Sequence, residues 1–201
     1  MGQHIYMAES NALSRVSPLV RLVFGGVFER HPRLVLVQTE QVGDWYGRVI
    51  AELDSRWEKW DYIFRGHVPR RPSEYCREHY FVGASFQSRT EAEHAVRDGY
   101  ADNVMWGSDY PHPEGTYRYP RHSDEEPTTR LSMRKTYQGL PADAVRKMLG
   151  GNAARAYGFD LATLEQVAAR IGAPTLDELS RAVEGIPPHW GLAFRDTEYY
   201  V

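Results

Sequence analysis

The residues best placed to do chemistry lie in the run Val104-Met105-Trp106-Gly107-Ser108-Asp109-Tyr110-Pro111-His112-Pro113-Glu114-Gly115. Val104, Met105 and Trp106 read as the apolar body of a short buried strand, and Gly107 permits a close backbone approach. Asp109 follows where the strand ends, and the prolines on either side of His112 stop further ladder pairing and set the direction of the loop. A carboxylate at the C-terminal end of a strand in a parallel barrel is a natural ligand for a cation. The same residues, Ser108 and Asp109, also fit an Asx-type turn after a strand. A second carboxylate, Glu40, ends the apolar run Leu34-Val35-Leu36-Val37 and its polar continuation Gln38-Thr39. It reads either as a group that orients substrate or shuttles a proton, or as an acid that stabilises the start of the following helix. His112 lines the mouth of such a pocket or packs within its loop. Arg118, Arg121 and His122 give the same loop a cationic edge suited to a carboxylate substrate, or form an ordinary solvated face.

The elements that must hold these residues follow from periodicity. Val16, Leu19, Val20, Val23, Val27 and Phe28 recur at helical spacing, which predicts one helix over 14–30 with Pro18 near its first turn. Leu34–Val37 is a continuous apolar run, expected to be a strand buried on both faces. Val49, Ile50, Leu53 and Trp57 predict the apolar face of a helix from Trp45 to Asp61, with Glu52, Arg56 and Lys59 in water. Residues 64–78 read as a long Pro- and Arg-rich connection. A strand over 79–86 precedes a helix capped by Ser88 or Thr90 and ended by Gly99, and Asn103–Gly107 forms the next strand. Residues 116–127 are a polar rim loop. Helices are expected at 128–138, 141–149, 151–157, 161–171 and 175–184, with Gly158 as a stop and Thr175 and Glu178 as a capping box. Alternating strands and helices predict an α/β fold with a parallel sheet.

Composition narrows the function classes. The chain has 201 residues and a formal charge of −3 with both signs interspersed, so no basic stripe for nucleic acid is present. No apolar run long enough to span a membrane and no signal-peptide pattern occurs, so a soluble cytoplasmic protein is expected. The single Cys76 fits a reducing compartment and lacks the neighbours of a nucleophilic cysteine.

The wording of several segments carries a resemblance. The run Trp106–Gly115 resembles the last-strand motif of the amidohydrolase-related family of metal-dependent TIM-barrel enzymes. That family includes hydrolases and non-oxidative decarboxylases of the aminocarboxymuconate-semialdehyde decarboxylase type. Leu22-Val23-Phe24-Gly25-Gly26-Val27-Phe28-Glu29-Arg30-His31-Pro32-Arg33-Leu34 is similar to the family's helix-to-strand segment ahead of the sixth strand. Val37-Gln38-Thr39-Glu40 with Gly43 and Trp45 is similar to the rim after it, and Gly150-Gly151-Asn152-Ala153-Ala154-Arg155-Ala156-Tyr157-Gly158 to the closing helix.

The resemblance implies a partial (β/α)8 barrel, strands six to eight, over residues 1–158, with a helical extension and tail over 159–201. It implies Asp109 as a metal ligand that also takes a proton from metal-activated water, which then attacks a carbonyl of a small or aromatic acid substrate. Glu40 would be a second catalytic carboxylate, and His112 and Arg118 would bind substrate. The implied cofactor is a divalent metal, zinc by family, although manganese suits an oxygen-rich site equally well. Decarboxylation is the alternative chemistry. The family's His-x-His pair is absent: the eight histidines lie at 4, 31, 67, 79, 94, 112, 122 and 189, none two apart. His4 is the one N-terminal histidine positioned to imitate a missing ligand. A complete TIM barrel takes about 250 residues. The chain is therefore expected to be the back half of a longer enzyme, inactive alone, or a non-catalytic half-barrel that pairs with a partner chain or a second copy through its exposed sheet edges.

Overall fold

The computed structural model describes residues 16–40, 45–83, 87–112, 115–117, 122 and 124–185. The chain divides into two compact units: Met1–Val37 with Trp45–Phe81, and Gln38–Asp44 with Val82–Val201.

In the first unit, α1 (16–24) buries Leu19 and Val23, one helical turn apart. The expected single helix over 14–30 breaks at Gly25-Gly26. Gly26 takes φ 63°, and a Cβ there would lie 2.7 Å from the His67 carbonyl oxygen, so the chain turns before α2 (Val27–Arg30) buries Phe28. The strand β1 (Leu36–Thr39) starts two residues later than expected and is only half-buried, with Leu34 and Val35 exposed ahead of it. It is an edge strand among the described residues, which is why its apolar run is not covered on both faces.

The helix α3 (Trp45–Lys59) buries Tyr46, Leu53 and Trp57 along one stripe. The Trp57 indole N–H donates to the Val68 carbonyl at 2.8 Å, and the Tyr46 hydroxyl to the Tyr80 carbonyl at 2.9 Å. A short α4 (Asp61–Phe64) follows. The stretch expected to be a connection contains a helix, α5 (Pro72–His79). Pro72 sits in its first turn, where a missing N–H costs nothing, and the Ser73 N–H donates to Asp54 Oδ1 at 2.8 Å. Cys76 is fully buried on this helix, and burial pushes its thiol up to about 12.

The second unit carries Glu40, Asp109 and His112. Three strands form one sheet in the order β1-β2-β3, where β2 is Tyr80–Gly83 and β3 is Val104–Met105. The strands β2 and β3 are parallel, with Val82 opposite Val104 and Gly83 opposite Met105. Their crossover is α6 (Arg89–Arg97), started by a complete capping box between Ser88 and Glu91 and followed by Gly99 at φ 77°. Residues 84–86 of the expected strand lie outside the described residues.

A single 3-10 turn, Ala101–Asn103, leads into β3. After the rim come α7 (Thr128–Tyr137), α8 (Ala142–Arg146), a π turn over Lys147–Gly151 and α9 (Asn152–Tyr157). Gly158 ends α9 at φ 71°. The helix α10 (Leu161–Ile171) buries none of its residues, and α11 (Leu176–Ser180) starts at the Thr175–Glu178 capping box.

Two polar clusters lock this unit. The buried Tyr137 hydroxyl donates to Gln87 Oε1 at 2.5 Å, and the Thr136 hydroxyl to the Gln87 carbonyl at 2.8 Å. The Asn152 amide donates to the carbonyls of Ala101 and Val104, each at 2.7 Å, and so ties α9 to the start of β3. No helix among the described residues is long and apolar enough to cross a membrane.

Candidate metal centre

The chain leaves β3 under tight control. The Trp106 N–H donates to the Met148 carbonyl at 2.9 Å, inside the π turn. A π turn breaks the regular helical ladder, and here one of its carbonyls meets the end of a strand. The strand's exit is thereby anchored to a helix rather than left free.

Asp109 then adopts φ 58°, a left-handed conformation that Asp tolerates better than most side chains. The Asp109 carbonyl accepts from the His112 N–H at 2.8 Å, and the His112 carbonyl from the Gly115 N–H at 2.9 Å. The Thr116 N–H returns to the Ser108 carbonyl at 2.8 Å and closes the loop on itself. Gly115 is needed for that closure: a Cβ there would lie 2.7 Å from the Ser108 carbonyl oxygen and 2.6 Å from the Tyr117 ring. The Tyr117 hydroxyl donates to the Pro111 carbonyl at 2.7 Å, its ring meets Tyr110 edge-on at 4.8 Å, and the Tyr110–Pro111 bond is cis. The turn after β3 is thus closed by the Asp109 backbone carbonyl and the His112 N–H.

Glu40 lies directly after β1 and also has a left-handed φ, 57°. The two parallel exits bring three candidates together: one ligand atom from each of Glu40, Asp109 and His112 lies within 4.8 Å of the other two. His112 Nδ1 is 3.6 Å from Asp109 Oδ2. The Asp109 side chain is 6% exposed and that of His112 52%; Glu40 is also exposed.

The donor set, two carboxylates and an imidazole, is of the kind that holds a divalent cation. The other expected candidates fall elsewhere. Arg118, Arg121 and His4 lie outside the described residues. His122 sits in a local turn, its carbonyl accepting from the Glu125 N–H at 3.2 Å. Cys76, in the other unit, is buried with a raised thiol and is no nucleophile.

Three contributors to the site carry little signal in the sequence. Met148 acts through a backbone carbonyl, which any residue type possesses. Gly115 and Asn152 stand inside recognisable motifs, but their roles depend on contacts distant along the chain.

The amidohydrolase family profile matches residues 10–159. No curated protein matches the chain. Among solved structures, an amidohydrolase from Mycobacterium avium subsp. paratuberculosis K-10 aligns with TM-score 0.54 and 23% identity, over 72% of this chain and 33% of its own. The 5-carboxyvanillate decarboxylase LigW from Sphingomonas paucimobilis aligns with TM-score 0.49 and 26% identity, over 70% of this chain and 38% of its own. The chain thus spans 33–38% of the length of these two structures.

Proposed function

Because the chain belongs to the amidohydrolase family, we propose that it supplies the last strands and part of the catalytic rim of a metal-dependent hydrolase. The observation that carries this reading is the convergence of Glu40, Asp109 and His112 at the exits of β1 and β3. In this reading β1, β2 and β3 are strands six to eight of the barrel. The earlier strands, with any further ligands, come from an upstream segment or a second chain.

A divalent cation, zinc or manganese, supplies Lewis-acid polarisation of a carbonyl and acidification of water when bound. Asp109 holds the cation and accepts a proton from the attacking water. Glu40 carries a proton to the leaving group, its exposure leaving it free to exchange that proton with solvent. His112, with Arg118 on the loop, binds the carboxylate of a small or aromatic acid substrate. A cytoplasmic setting belongs to the same reading and is supported by the single, buried Cys76.

A substrate panel on the complete enzyme tests the reaction class. Chelator-sensitive cleavage of aromatic lactones, esters or amides is the expected outcome. Chelator-sensitive release of carbon dioxide from aromatic acids would replace hydrolysis by decarboxylation. A metal-free, inactive dimer would replace both by a non-catalytic half-barrel.

A further inference from the structure

The helix α10 carries an apolar face that the described residues leave in water. It begins beyond residue 159, where the match to the family profile ends. None of its residues is buried, and no described helix or strand packs broadly against it. Leu161, Leu164, Ala168 and Ile171 are spaced three, four and three residues apart. That is the spacing of a seam between paired helices. Leu161, Leu164 and Ile171 are exposed, Ile171 at 70%, and Ala168 is half-buried. Just ahead of the helix, Tyr157 and Phe159 are each 55% exposed, with ring centroids 5.6 Å apart.

We infer that this face pairs with α10 of a second copy of the chain, antiparallel about a two-fold axis. The inference is independent of the metal reading.

The stripe is self-complementary in that orientation. A two-fold axis level with Gln166 sets Leu161 opposite Ile171 of the second copy, and Leu164 opposite its Ala168. Large then meets small in the two central layers. A parallel pair would stack Ala168 on Ala168 and leave a void. Charge favours the same orientation. Asp160 caps the start of α10 and Arg170 lies in its last turn. Antiparallel pairing brings each Asp160 end beside the other copy's Arg170 end and opposes the helix dipoles, whereas parallel pairing sets like charges together.

The area is that of a modest dimer. A covered aromatic side chain buries roughly 150–250 Å², so Tyr157 and Phe159 each leave about 100 Å² in water. With Leu161, Leu164 and Ile171 the face comes to about 500 Å² per copy, at the upper end of what monomers expose. Two copies cover about 1,000 Å², the lower bound for a specific interface, so association is expected at micromolar concentration.

Sedimentation equilibrium of the full 201-residue chain tests this. The mass should rise from 23.1 kDa to twice that value across the micromolar range. Leu164→Glu and Ile171→Glu should each move the midpoint of association to at least about tenfold higher concentration, because each sets a charge in an apolar seam. Their circular dichroism and thermal midpoints should match wild type, since α10 buries none of its residues. Ile63→Glu, at an exposed apolar residue of the other unit, should leave association unchanged. Leu161→Cys chains mixed with Ile171→Cys chains should cross-link through a short bis-maleimide, and neither variant with itself. The native Cys76 is buried and does not compete.

A chain that stays at 23.1 kDa throughout would overturn the inference. A dimer that survives both glutamate variants, held elsewhere such as at the sheet edges, would also overturn it. Self-cross-linking of Leu161→Cys, the mark of a parallel pair, would do the same. So would a monomer in which Leu164→Cys resists alkylation, since another segment of the chain would then cover the face.

Discussion

His112 Nδ1 stands 3.6 Å from Asp109 Oδ2, and the backbone hydrogen bond from the His112 N–H to the Asp109 carbonyl fixes the turn that places them there. The loop begins at a strand tied to Met148, reverses at a left-handed Asp109 and closes through Thr116 onto Ser108.

That closure predicts the effect of Gly115→Ala. The added methyl meets the Ser108 carbonyl at 2.7 Å and the Tyr117 ring at 2.6 Å, and the carbonyl cannot retreat without breaking its bond to Thr116. A loss of about 1–3 kcal/mol is expected, read as a lowered midpoint in thermal unfolding. Weaker metal binding should accompany it. An unchanged midpoint would mean that the loop accommodates the methyl by shifting as a whole.

Asn152 is the residue through which α9 holds the start of β3. Asn152→Leu removes both donors and leaves the Ala101 and Val104 carbonyls without them. Stability should fall by about 1–3 kcal/mol for the buried Val104 carbonyl, with a smaller further loss at the half-buried Ala101 carbonyl. Urea unfolding measures this directly. Asn152→Asp should be at least as damaging, because a carboxylate cannot donate to either carbonyl.

Buried hydroxyl and thiol groups set an alkaline limit. Burial pushes the Cys76 thiol up to about 12, and burial also raises Tyr80 and Tyr137 above the ordinary tyrosine value. Each group binds its proton more tightly in the folded state. Its contribution is fully present below the unfolded value, about 8.5 for a thiol and 10 for a tyrosine, and is lost as pH rises through the folded value. The thermal midpoint should therefore decline steadily above about pH 9. Native Cys76 should resist alkylation at pH 8 that modifies the denatured chain readily. Rapid alkylation of the native thiol would contradict its burial.

Much of this organisation is legible in the sequence where the signal is local. The Ser88–Glu91 and Thr175–Glu178 capping boxes and the Gly99 and Gly158 stops sit where their residue types demand. Two errors have local causes as well. Pro72 resembles loop punctuation, yet at the first turn of a helix it is well tolerated, so α5 is hidden among prolines and arginines. The apolar stripe from Val16 to Phe28 continues across Gly25-Gly26, and periodicity alone does not reveal that the backbone turns there. The candidate site is legible in part. Asp109, Glu40 and His112 stand out by type and position, but their convergence depends on strand order. Neither spacing nor propensity encodes that order.

The most direct test of the central claim is the metal content of the purified protein, wild type against Asp109→Asn, by elemental analysis. The account predicts at least one divalent metal ion per chain in the wild type and its loss in Asp109→Asn with the fold retained. An Asp109→Asn protein that keeps its full complement of metal would contradict it.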